Sequence, residues 1–271
     1  MSSEKELQGQ VALVTGAAGA IGRAICDGFL QAGACVTLTD IDQARLEEFA
    51  QELRARYEEK RMLSVVVDVK DSRQVKQAFE LTVARFGRFD ILVNNAAVTQ
   101  IKPVDELSDE DIDLILDTDL KGYVKCAREA VKLMKQTKTP GVLLFISSKN
   151  GLLGASKKCL YSAAKGGGLT LARALAQELG PFGIRVNTIC PDAVMEGSYL
   201  WRKGGGYLEG TAARYNLAVE EIPAYYKDRC ALKTNIEPGD IANAAVFLVS
   251  AKSAKITGTI LSVDGGVAFV R

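Results

Sequence analysis

The residues of this chain whose types and spacing could do chemistry lie around Tyr161 and Lys165, where a tyrosine precedes a lysine by four positions. Small residues begin this stretch and an apolar run follows, which is typical of a helix start, and positions four apart share one helix face. A lysine ammonium beside a phenol favours the phenolate and lowers the tyrosine pKa from about 10. The pair therefore predicts a tyrosine that acts as a general acid or base. Ser148, thirteen residues upstream, follows an apolar run, and its hydroxyl can bond the same substrate oxygen.

By itself this tyrosine–lysine spacing is a weak signal, because a solvated lysine beside a half-buried tyrosine looks the same. The sequence contains no histidine, which excludes a Ser-His-Asp triad, a Cys-His pair and a zinc site built from histidines. We therefore expect no metal centre. The elements that would position Tyr161 and Lys165 decide between the two interpretations.

A glycine-rich loop stands between the first predicted strand and the first predicted helix. Residues 11–15 form a short continuous apolar run, as in a strand buried on both faces, and the helical pattern extends to Leu30. Glycines let the backbone approach a pyrophosphate, and the helix N-terminus offers free N–H groups. Strand, loop and helix in this order predict a dinucleotide site, and a tight turn without a ligand is the alternative. The predicted contacts are Gly16, Ala18, Gly19, Ala20, Ile21 and Gly22.

Asp40 follows the second predicted strand, residues 35–39, about two dozen residues after the first glycine of the loop. A carboxylate there can hydrogen-bond the ribose hydroxyls of an adenosine and would repel a 2′-phosphate. No arginine or lysine stands at positions 17, 18 or 41 to neutralise such a phosphate. The sequence therefore predicts NAD rather than NADP, with Asp40 and Ile41 at the cofactor. The alternative role, a helix N-cap, suits Asp42 better.

The third predicted strand brings another carboxylate to the same edge. A charged helix over residues 43–60 precedes this strand, which covers residues 63–69. Asp68 and Val69 stand at its end, where a side chain can reach the adenine.

The fourth predicted strand ends in two asparagines and two alanines, after a helix over residues 72–86. Asn95, Ala96 and Ala97 are predicted to contact the cofactor, because small side chains leave room for a flat ring. The alternative is that the asparagines only form a turn.

Strands and helices alternate along the rest of the chain. The predicted elements are two helical stretches within residues 108–138, a strand over 142–146, a stop signal over 180–183, a strand over 184–189, a helix from Pro238 and a last strand over 260–266. This alternation indicates one α/β domain over residues 1–271, a Rossmann-type doubly wound parallel sheet with helices on both faces. Residues 192–230 lose periodicity and are predicted to form a mobile substrate lid.

Composition excludes several classes of function. A net charge of +1 gives no footprint for nucleic acid or an anionic membrane. The polar N-terminus, residues 1–6, lacks the apolar segment of a signal peptide, and no apolar run reaches the roughly 20 residues that a membrane span needs. The six cysteines form no C-x-x-C pair, so we expect reduced core residues in a cytoplasmic protein.

With these pieces together, the chain resembles the short-chain dehydrogenase/reductase superfamily over nearly its whole length. Residues 15–22 fit the family's T-G-x-x-x-G-x-G loop except at Ala20, and residues 94–97 fit its N-N-A-G motif except at the last position. Residues 184–187 and 263–266 match two further family motifs. The resemblance implies hydride transfer with a nicotinamide cofactor, and a homotetramer.

Ser148, Tyr161 and Lys165 stand at the spacing of the family's catalytic residues. The resemblance implies that Tyr161 transfers the substrate's proton and that Ser148 orients the same oxygen. It also implies that Lys165 binds the nicotinamide ribose. The fourth catalytic residue of the family is usually an asparagine, and here its place is taken by Asp119. Asp119 is predicted to hold the water of the proton relay, and its negative charge would raise the pKa of Tyr161.

A second departure lies after the sixth predicted strand, where the family usually has Pro-Gly and this chain has Pro191 and Asp192. No threonine appears at the position that often binds the nicotinamide amide. Pro191, Ala193 and Val194 are therefore predicted to contact the cofactor, the last two through backbone groups.

The C-terminal third resembles a sugar-acting branch at a few scattered positions. Residues 190–194, 198–201, 212–215 and 225–227 are similar to the dehydrogenase half of bifunctional rhamnulose-phosphate aldolase/alcohol dehydrogenases and to sorbitol-6-phosphate dehydrogenase-like proteins. This similarity implies a small hydroxylated substrate.

The predicted substrate residues are Ser148, Lys149, Asn150, Tyr161, Asp192, Trp201 and Arg202. The lid also carries Lys203, Arg214, Lys227 and Arg229. Several cations around a pocket predict an anionic group on the substrate, which could be phosphate, sulfonate or carboxylate. The alternative is a solvated lid whose cations pair with Glu209, Glu220 and Glu221.

Together these features predict an NAD(H)-dependent dehydrogenase of a secondary alcohol on a small sugar-like molecule. Three alternatives remain open. The chain could reduce another class of carbonyl, such as a 3-oxoacyl thioester, although a more apolar lid would suit that. It could be a non-catalytic NAD sensor, or a freestanding dehydrogenase partner of an aldolase.

Overall fold

Seven parallel strands form the centre of the computed structural model, which describes residues 5–268. The strands are β1 (Val11–Thr15), β2 (Cys35–Asp40), β3 (Met62–Val66), β4 (Ile91–Asn94), β5 (Val142–Ile146), β6 (Arg185–Pro191) and β7 (Ile260–Val263). Their spatial order is β3-β2-β1-β4-β5-β6-β7. The first four residues, on which the expectation of no signal peptide partly rests, lie outside the described part of the chain.

The central strands are apolar throughout because both faces of the sheet are covered. Every residue of β1 and of β5 is buried. Val14 of β1 pairs with Leu38 of β2 on one side and with Val93 of β4 on the other. Continuous burial of this kind is typical of a parallel strand between two helical layers.

Helices follow the strands in alternation, as predicted. The α-helices of the described residues are α1 (Ala20–Gln31), α2 (Gln43–Arg54), α3 (Ser72–Phe86), α4 (Asp109–Leu116), α5 (Gly122–Thr137), α6 (Lys149–Leu153), α7 (Cys159–Leu179), α8 (Tyr207–Tyr215), α9 (Ile222–Arg229) and α10 (Pro238–Val249). Short 3₁₀ turns lie at Glu59–Arg61, Val104–Glu106, Gly180–Phe182, Tyr199–Trp201, Val219–Glu221 and Ala251–Ser253. Across residues 5–268, the model contains no helix with both the length and the apolarity of a membrane span.

The helices cover opposite faces of the sheet. One layer contains α1, α2 and α10, and it buries side chains such as Phe29 and Ile241 against the strands. The other contains α3, α5 and α7, with Phe79 and Tyr123 in its core. The predicted Rossmann-type, doubly wound α/β fold is confirmed.

The second helix is shorter than predicted: α2 ends at Arg54, whereas the charged pattern suggested a helix as far as residue 60. Six of the eight residues from 54 to 61 are charged. These residues supply no apolar stripe that could hold another turn of helix on the sheet. Arg61 instead turns inward and donates hydrogen bonds to the carbonyl oxygens of Leu30 and Ala34.

The segment of residues 192–230, expected to be an irregular lid, contains the helices α8 and α9. They pack on a small core of their own, formed by Leu208, Ala212, Ile222 and Tyr226. The helices are short, nine and eight residues, so their periodicity does not stand out among the surrounding glycines and aromatic residues.

Candidate active site

One cleft of about 620 Å³ lies at the carboxyl ends of the strands. Because β1 lies between β2 and β4, the chain turns to opposite sides of β1 and leaves a crevice outside these strand ends. The predicted site residues that line the cleft are Gly16, Gly19, Ala20, Ile21, Gly22, Asp40, Ile41, Asp68, Val69, Asn95, Ala96, Ala97, Ser148, Lys149, Asn150, Tyr161, Pro191, Asp192, Ala193, Val194 and Trp201.

Four predicted site residues do not line this cleft. Ala18, Asp119 and Lys165 are buried. Arg202 is exposed, and its guanidinium lies 3.2 Å from the centroid of the Tyr199 ring. The structure therefore does not bring Arg202 to the cleft with the other predicted substrate residues.

The loop after β1 requires glycine at two positions. Gly16 has a φ of +64°, and a Cβ on it would lie 2.9 Å from the Cα of Ala96. A Cβ on Gly22 would lie 2.1 Å from the carbonyl oxygen of Gly16. Gly19, the N-cap of α1, provides no side-chain hydrogen bond to the helix start. The loop is thus a narrow backbone cradle at a helix N-terminus, which suits a pyrophosphate.

The β1 loop is held in place by the loop after β4. The Thr15 hydroxyl accepts hydrogen bonds from the backbone N–H groups of Asn95 and Ala96, at 2.9 and 3.0 Å. The Asn95 amide donates to the carbonyl oxygens of Thr15 and Gly16, at 2.9 and 3.0 Å. Asn95 therefore does more than form a turn, because it fixes the glycine cradle from across the crevice.

Asp40 anchors the glycine loop to the end of β2. Its carboxylate accepts hydrogen bonds from the N–H groups of Ala18 and Asp42, each at 3.0 Å. Asp42 is the N-cap of α2, as expected, and accepts from the N–H of Arg45. Asp68 lines the same cleft, and its carboxylate accepts from the N–H of Lys70 at 2.9 Å.

Arg45 is a cation at this end of the cleft that the sequence argument for NAD did not consider. Its guanidinium donates to the carbonyl oxygen of Ala18 at 3.0 Å and lies 4.5 Å from the centroid of the Tyr199 ring. A second contact places it 4.0 Å from the Asp42 carboxylate. A cation can therefore approach the loop from a position other than 17, 18 or 41, because Arg45 reaches it from the first turn of α2.

Ser148, Tyr161 and Lys165 come together where β5 meets α7. Ser148 is the N-cap of α6, where its hydroxyl accepts from the N–H of Asn150 at 3.1 Å. Tyr161 lies in the first turn of α7, and the Lys165 ammonium lies 5.7 Å from the centroid of its ring. The predicted stacking of the pair on one helix face is what the structure has.

The pKa of Tyr161 is nevertheless raised above its ordinary value in this structure. Burial of the phenol is the largest cause, and the charge of Asp119 adds to it. Lys165 and Ser148 act in the opposite direction. The predicted sign of the lysine's influence is correct, whereas the expectation that the phenol's pKa falls below 10 is wrong for the protein without a cofactor charge.

Lys165 is held by a buried network that includes one residue not foreseen from the sequence. Its ammonium donates to the Tyr123 hydroxyl at 2.7 Å and to the carbonyl oxygen of Ile146 at 3.2 Å. The Tyr123 hydroxyl also donates to Ile146, at 2.6 Å. Nothing in the local pattern around Tyr123 distinguishes it from a core aromatic residue, so only the tertiary contact reveals this role.

Asp119 lies in a π-helical turn, Asp117–Lys121, between α4 and α5. A π turn inserts an extra residue and is frequent at functional sites. The carboxylate is fully buried, accepts from the N–H of Val98 at 2.8 Å, and has its other oxygen 3.7 Å from the Lys165 ammonium. That oxygen has no hydrogen-bond partner among the described residues. Burial raises the pKa of Asp119 to about 6.

Asp192 is the centre of a buried ion-pair cluster at the substrate end. Its two carboxylate oxygens lie 3.0 Å from the Lys149 ammonium and 3.5 Å from the Arg229 guanidinium. Burial raises the pKa of Asp192 to about 7. By contrast, Lys203 pairs with Glu220 on the outer surface at 2.8 Å. The predicted cationic lid is therefore divided, with some cations in the cleft and others solvated.

Residues that were not among the predicted site residues also line the cleft. Lys158, Tyr207, Tyr215 and Tyr226 line it together with Arg214, which was considered only as a lid cation. Lys158 is the N-cap residue of α7 and donates a hydrogen bond to the Tyr207 hydroxyl. The only sequence feature that could have indicated its place in the cleft is its position three residues before Tyr161, because residues about one turn apart at the start of a helix lie on the same face.

Comparison with known proteins gives a family match across almost the entire chain. A family model described as "Enoyl-(Acyl carrier protein) reductase" matches residues 16–268. An uncharacterised oxidoreductase of Bacillus subtilis, YuxG, is 39% identical over 99% of this chain, which spans only 39% of that longer protein. Sorbitol-6-phosphate 2-dehydrogenase of Escherichia coli is 30% identical over 95% of this chain and 98% of its own length. D-Threitol dehydrogenase of Mycolicibacterium smegmatis is 34% identical over 96% and 93%.

Solved structures show the same architecture. Sorbitol-6-phosphate 2-dehydrogenase from Erwinia amylovora superposes with a TM-score of 0.88 at 31% identity, covering 96% of this chain and all of that one. The 3-ketoacyl-(acyl-carrier-protein) reductase from Brucella melitensis, complexed with NADH, has a TM-score of 0.83 at 28% identity and covers 97% of this chain.

Proposed function

We propose that this chain, which belongs to the short-chain dehydrogenase/reductase family, is an NAD(H)-dependent oxidoreductase for a secondary alcohol or ketone of a small sugar-like substrate. The observation that carries the proposal is the grouping of Tyr161, Ser148 and the Lys165 network beside a cleft that also contains the glycine cradle. A structural tyrosine–lysine pair would need neither the cradle nor a buried hydroxyl beside it.

The loop after β1 fits a dinucleotide because added Cβ atoms at Gly16 and Gly22 would collide with backbone. When bound, the nicotinamide cofactor supplies the hydride acceptor or donor and, in its oxidised form, a positive charge that favours the Tyr161 phenolate. Asp40 supports NAD, since a 2′-phosphate would meet its carboxylate. Arg45 is already engaged with Ala18 and Tyr199, so we give Asp40 the larger weight.

In the proposed oxidation, the Tyr161 phenolate takes the proton of the substrate hydroxyl while Ser148 donates a hydrogen bond to the same oxygen. Lys165 stabilises the phenolate, and the Asp119 carboxylate, 3.7 Å from the Lys165 ammonium, balances its charge. The proton gained by Tyr161 then returns to solvent through a relay water, which Asp119 is predicted to hold. In the reductive direction the same groups return the proton to the ketone oxygen.

A hydroxylated substrate is supported by the polarity of the cleft. Lys149 and Asp192 form a buried ion pair there, whose atoms can donate to and accept from neighbouring hydroxyl groups. The names of two relatives, which refer to sorbitol 6-phosphate and D-threitol, also support a hydroxylated substrate.

An acyl-thioester substrate is the second candidate, favoured by the names of the family model and of one solved relative. The polarity of the cleft disfavours it, because an apolar acyl chain offers no hydrogen bonds to Lys149 and Asp192 there. We therefore keep it as the competing hypothesis for the assay below.

The test is a panel assay that follows the reduction of NAD⁺ or NADP⁺ by neutral polyols, sugars, their phosphates, sugar acids and 3-hydroxyacyl thioesters. We expect turnover with NAD⁺ and hydroxylated substrates. Tyr161→Phe should remove turnover while cofactor affinity, measured by quenching of protein fluorescence, stays within about twofold. Turnover by Tyr161→Phe would rule out the proton-transfer role, and activity confined to thioesters would replace the substrate class.

A further inference from the structure

Lys158 is a buried cation at the substrate end of the cleft. Lys158 is only 5% exposed. Its ammonium lies 4.4 Å from the centroid of the Tyr207 ring and 6.0 Å from that of the Tyr161 ring. No carboxylate among residues 5–268 forms an ion pair with it, although Asp192 contributes a weaker attraction at longer range. An ammonium buried without a counter-ion is costly, and burial accordingly lowers the pKa of Lys158 to about 8.

Arg214 adds a second unpaired positive charge beside the first. It lies on α8, lines the same cleft, and has its guanidinium 4.8 Å from the centroid of the Tyr215 ring. Its charge acts directly on Lys158, as the second cause of the lowered lysine pKa. Within the described part of the chain it, too, has no acidic partner within ion-pair distance. Two like charges held together are unfavourable unless an anion joins them.

Two other basic residues at this end of the cleft differ in having an acidic partner. Lys149 and Arg229 share the Asp192 carboxylate, at 3.0 and 3.5 Å. Each of these two cleft cations is therefore accompanied by a carboxylate. The pair of Lys158 and Arg214 lacks one, so an acceptor from outside the protein would complete the site.

Neutral donors stand beside the two cations. The Tyr207 hydroxyl is hydrogen-bonded to the Lys158 ammonium. The Thr99 hydroxyl is buried, lines the cleft and lies close to the Tyr207 hydroxyl. Two hydroxyl groups and two cations that line the same cleft provide more donors than a single carboxylate can use.

We propose that Lys158 and Arg214, with the hydroxyls of Tyr207 and Thr99, form a binding site for a phosphate monoester group carried by the substrate. This inference rests on the proposed function, since it names the class of alcohol that the site accepts. A phosphate monoester carries close to two negative charges at neutral pH and three acceptor oxygens, which matches two cations and two hydroxyls. Since Lys158 lies near the Tyr161 ring, a chain of a few carbon atoms can join the phosphate to the reacting alcohol.

The test compares neutral polyols with their monophosphates as substrates of the full chain and three variants. Lys158→Gln and Arg214→Gln should each lower kcat/KM for the phosphorylated substrate by on the order of 100-fold, because each leaves the anion short of one charge-assisted bond. The preference for the phosphate, taken as kcat/KM for the phosphorylated polyol divided by kcat/KM for the neutral one, should fall at least about tenfold in each of these variants. Lys203→Gln, an exposed cation on the same segment, is the matched control and should change neither value.

Several outcomes would overturn the site. Wild-type protein that uses neutral polyols as well as their phosphates, or that prefers sugar acids, would remove the phosphate assignment while leaving the proposed function intact. Variants that discriminate as wild type does would overturn the assignment of Lys158 and Arg214. Lys158→Arg keeps the charge and should retain most of the preference for phosphate, which separates loss of the site from loss of folding.

Absence of turnover with every substrate of the panel would refute the proposed function. A binding experiment tests the phosphate site even in that case. Calorimetric titration of the protein with inorganic phosphate in the presence of NAD⁺ should detect binding in wild type and in Lys203→Gln. Binding should weaken on the order of 100-fold in Lys158→Gln. No binding to wild type, or equal binding to all three proteins, would overturn the phosphate site.

Discussion

Asp119 carries a carboxylate into the centre of the proposed catalytic network, where the family resemblance leads one to expect a neutral amide. Its burial raises its pKa to about 6, and its charge also raises the pKa of Tyr161. The same residue therefore influences both the stability of the fold and the acidity of the phenol. The two effects can be measured separately in one variant, Asp119→Asn.

For stability, the sign follows from the raised carboxyl pKa. Between about pH 4 and pH 6 the unfolded carboxyl ionises while the folded one keeps its proton, so stability falls as pH rises, by roughly 3 kcal/mol in all. Asp119→Asn should therefore be more stable than wild type at pH 8 and nearly equal to it at pH 4. Urea midpoints at both pH values check this. A variant that is less stable at pH 8 would mean that Lys165 requires the carboxylate as its counter-ion.

For catalysis, removal of the negative charge lowers the pKa of Tyr161. The rate of alcohol oxidation by Asp119→Asn should reach half its maximum at a lower pH than in wild type. A pH profile of kcat/KM for both proteins provides the measurement. An unchanged profile would show that the ionisation of another group limits the reaction.

At the scale of elements, the packing of α1 against the glycine loop requires the absence of a side chain at Gly16 and Gly22. A Cβ on Gly22 would lie 2.1 Å from the carbonyl oxygen of Gly16, whereas a Cβ on Gly28, in the same helix, would meet only side-chain atoms at 3.6 Å. We expect Gly22→Ala to weaken NAD⁺ binding at least tenfold or to lower the melting temperature by several degrees. Gly28→Ala should leave both intact, and even stabilise α1 slightly. Equal behaviour of the two variants would contradict the cradle geometry.

The strands and the glycine loop are the elements that sequence patterns predict best. Residues 11–15 and 142–146 are continuous apolar runs, and such runs have few alternatives to a buried parallel strand. The helices within residues 207–229 are harder to predict, because two short helices packed on a small local core leave only a brief periodic signal. Within the site, the spacing of residues along the sequence is enough to predict the glycine loop and the positions of Ser148, Tyr161 and Lys165.

The site residues that the sequence did not indicate are those brought in by tertiary packing. Tyr123 reaches Lys165 from α5, and Arg45 reaches the glycine loop from the helix after β2. Lys158 stands beside the motif, but its burial and its lack of an ion-pair partner appear only once α8 is in place. Contacts between distant segments leave no periodic trace in a single sequence.

At the scale of the whole molecule, two apolar side chains lie exposed on helices of opposite layers. Val124 on α5 is 43% exposed and Phe247 on α10 is 39% exposed. We propose that these faces join copies of the chain into the homotetramer that the family resemblance implies. Exposed apolar residues can also be single and unpartnered, so an oligomerisation measurement decides.

Light scattering should give the mass of four chains for the wild type. Val124→Glu, which places a charge on the α5 face, should reduce the mass to that of a smaller assembly. Leu81→Glu is the matched control, since Leu81 is 40% exposed and lies on α3 rather than on α5 or α10. A monomeric wild type, or equal dissociation in both variants, would refute this arrangement.

The extra carboxylate at position 119 also bears on which redox state of the cofactor the protein prefers. Lys165 and Asp119 together carry no net charge, and ionisation of Tyr161 makes their network negative. A negative site holds a cationic nicotinamide more tightly than a neutral, reduced one. The difference in affinity shifts the reduction potential of the bound pair downward and makes bound NADH the stronger reductant. We expect this bias to shift the equilibrium among the bound species toward alcohol and oxidised cofactor while Tyr161 is ionised.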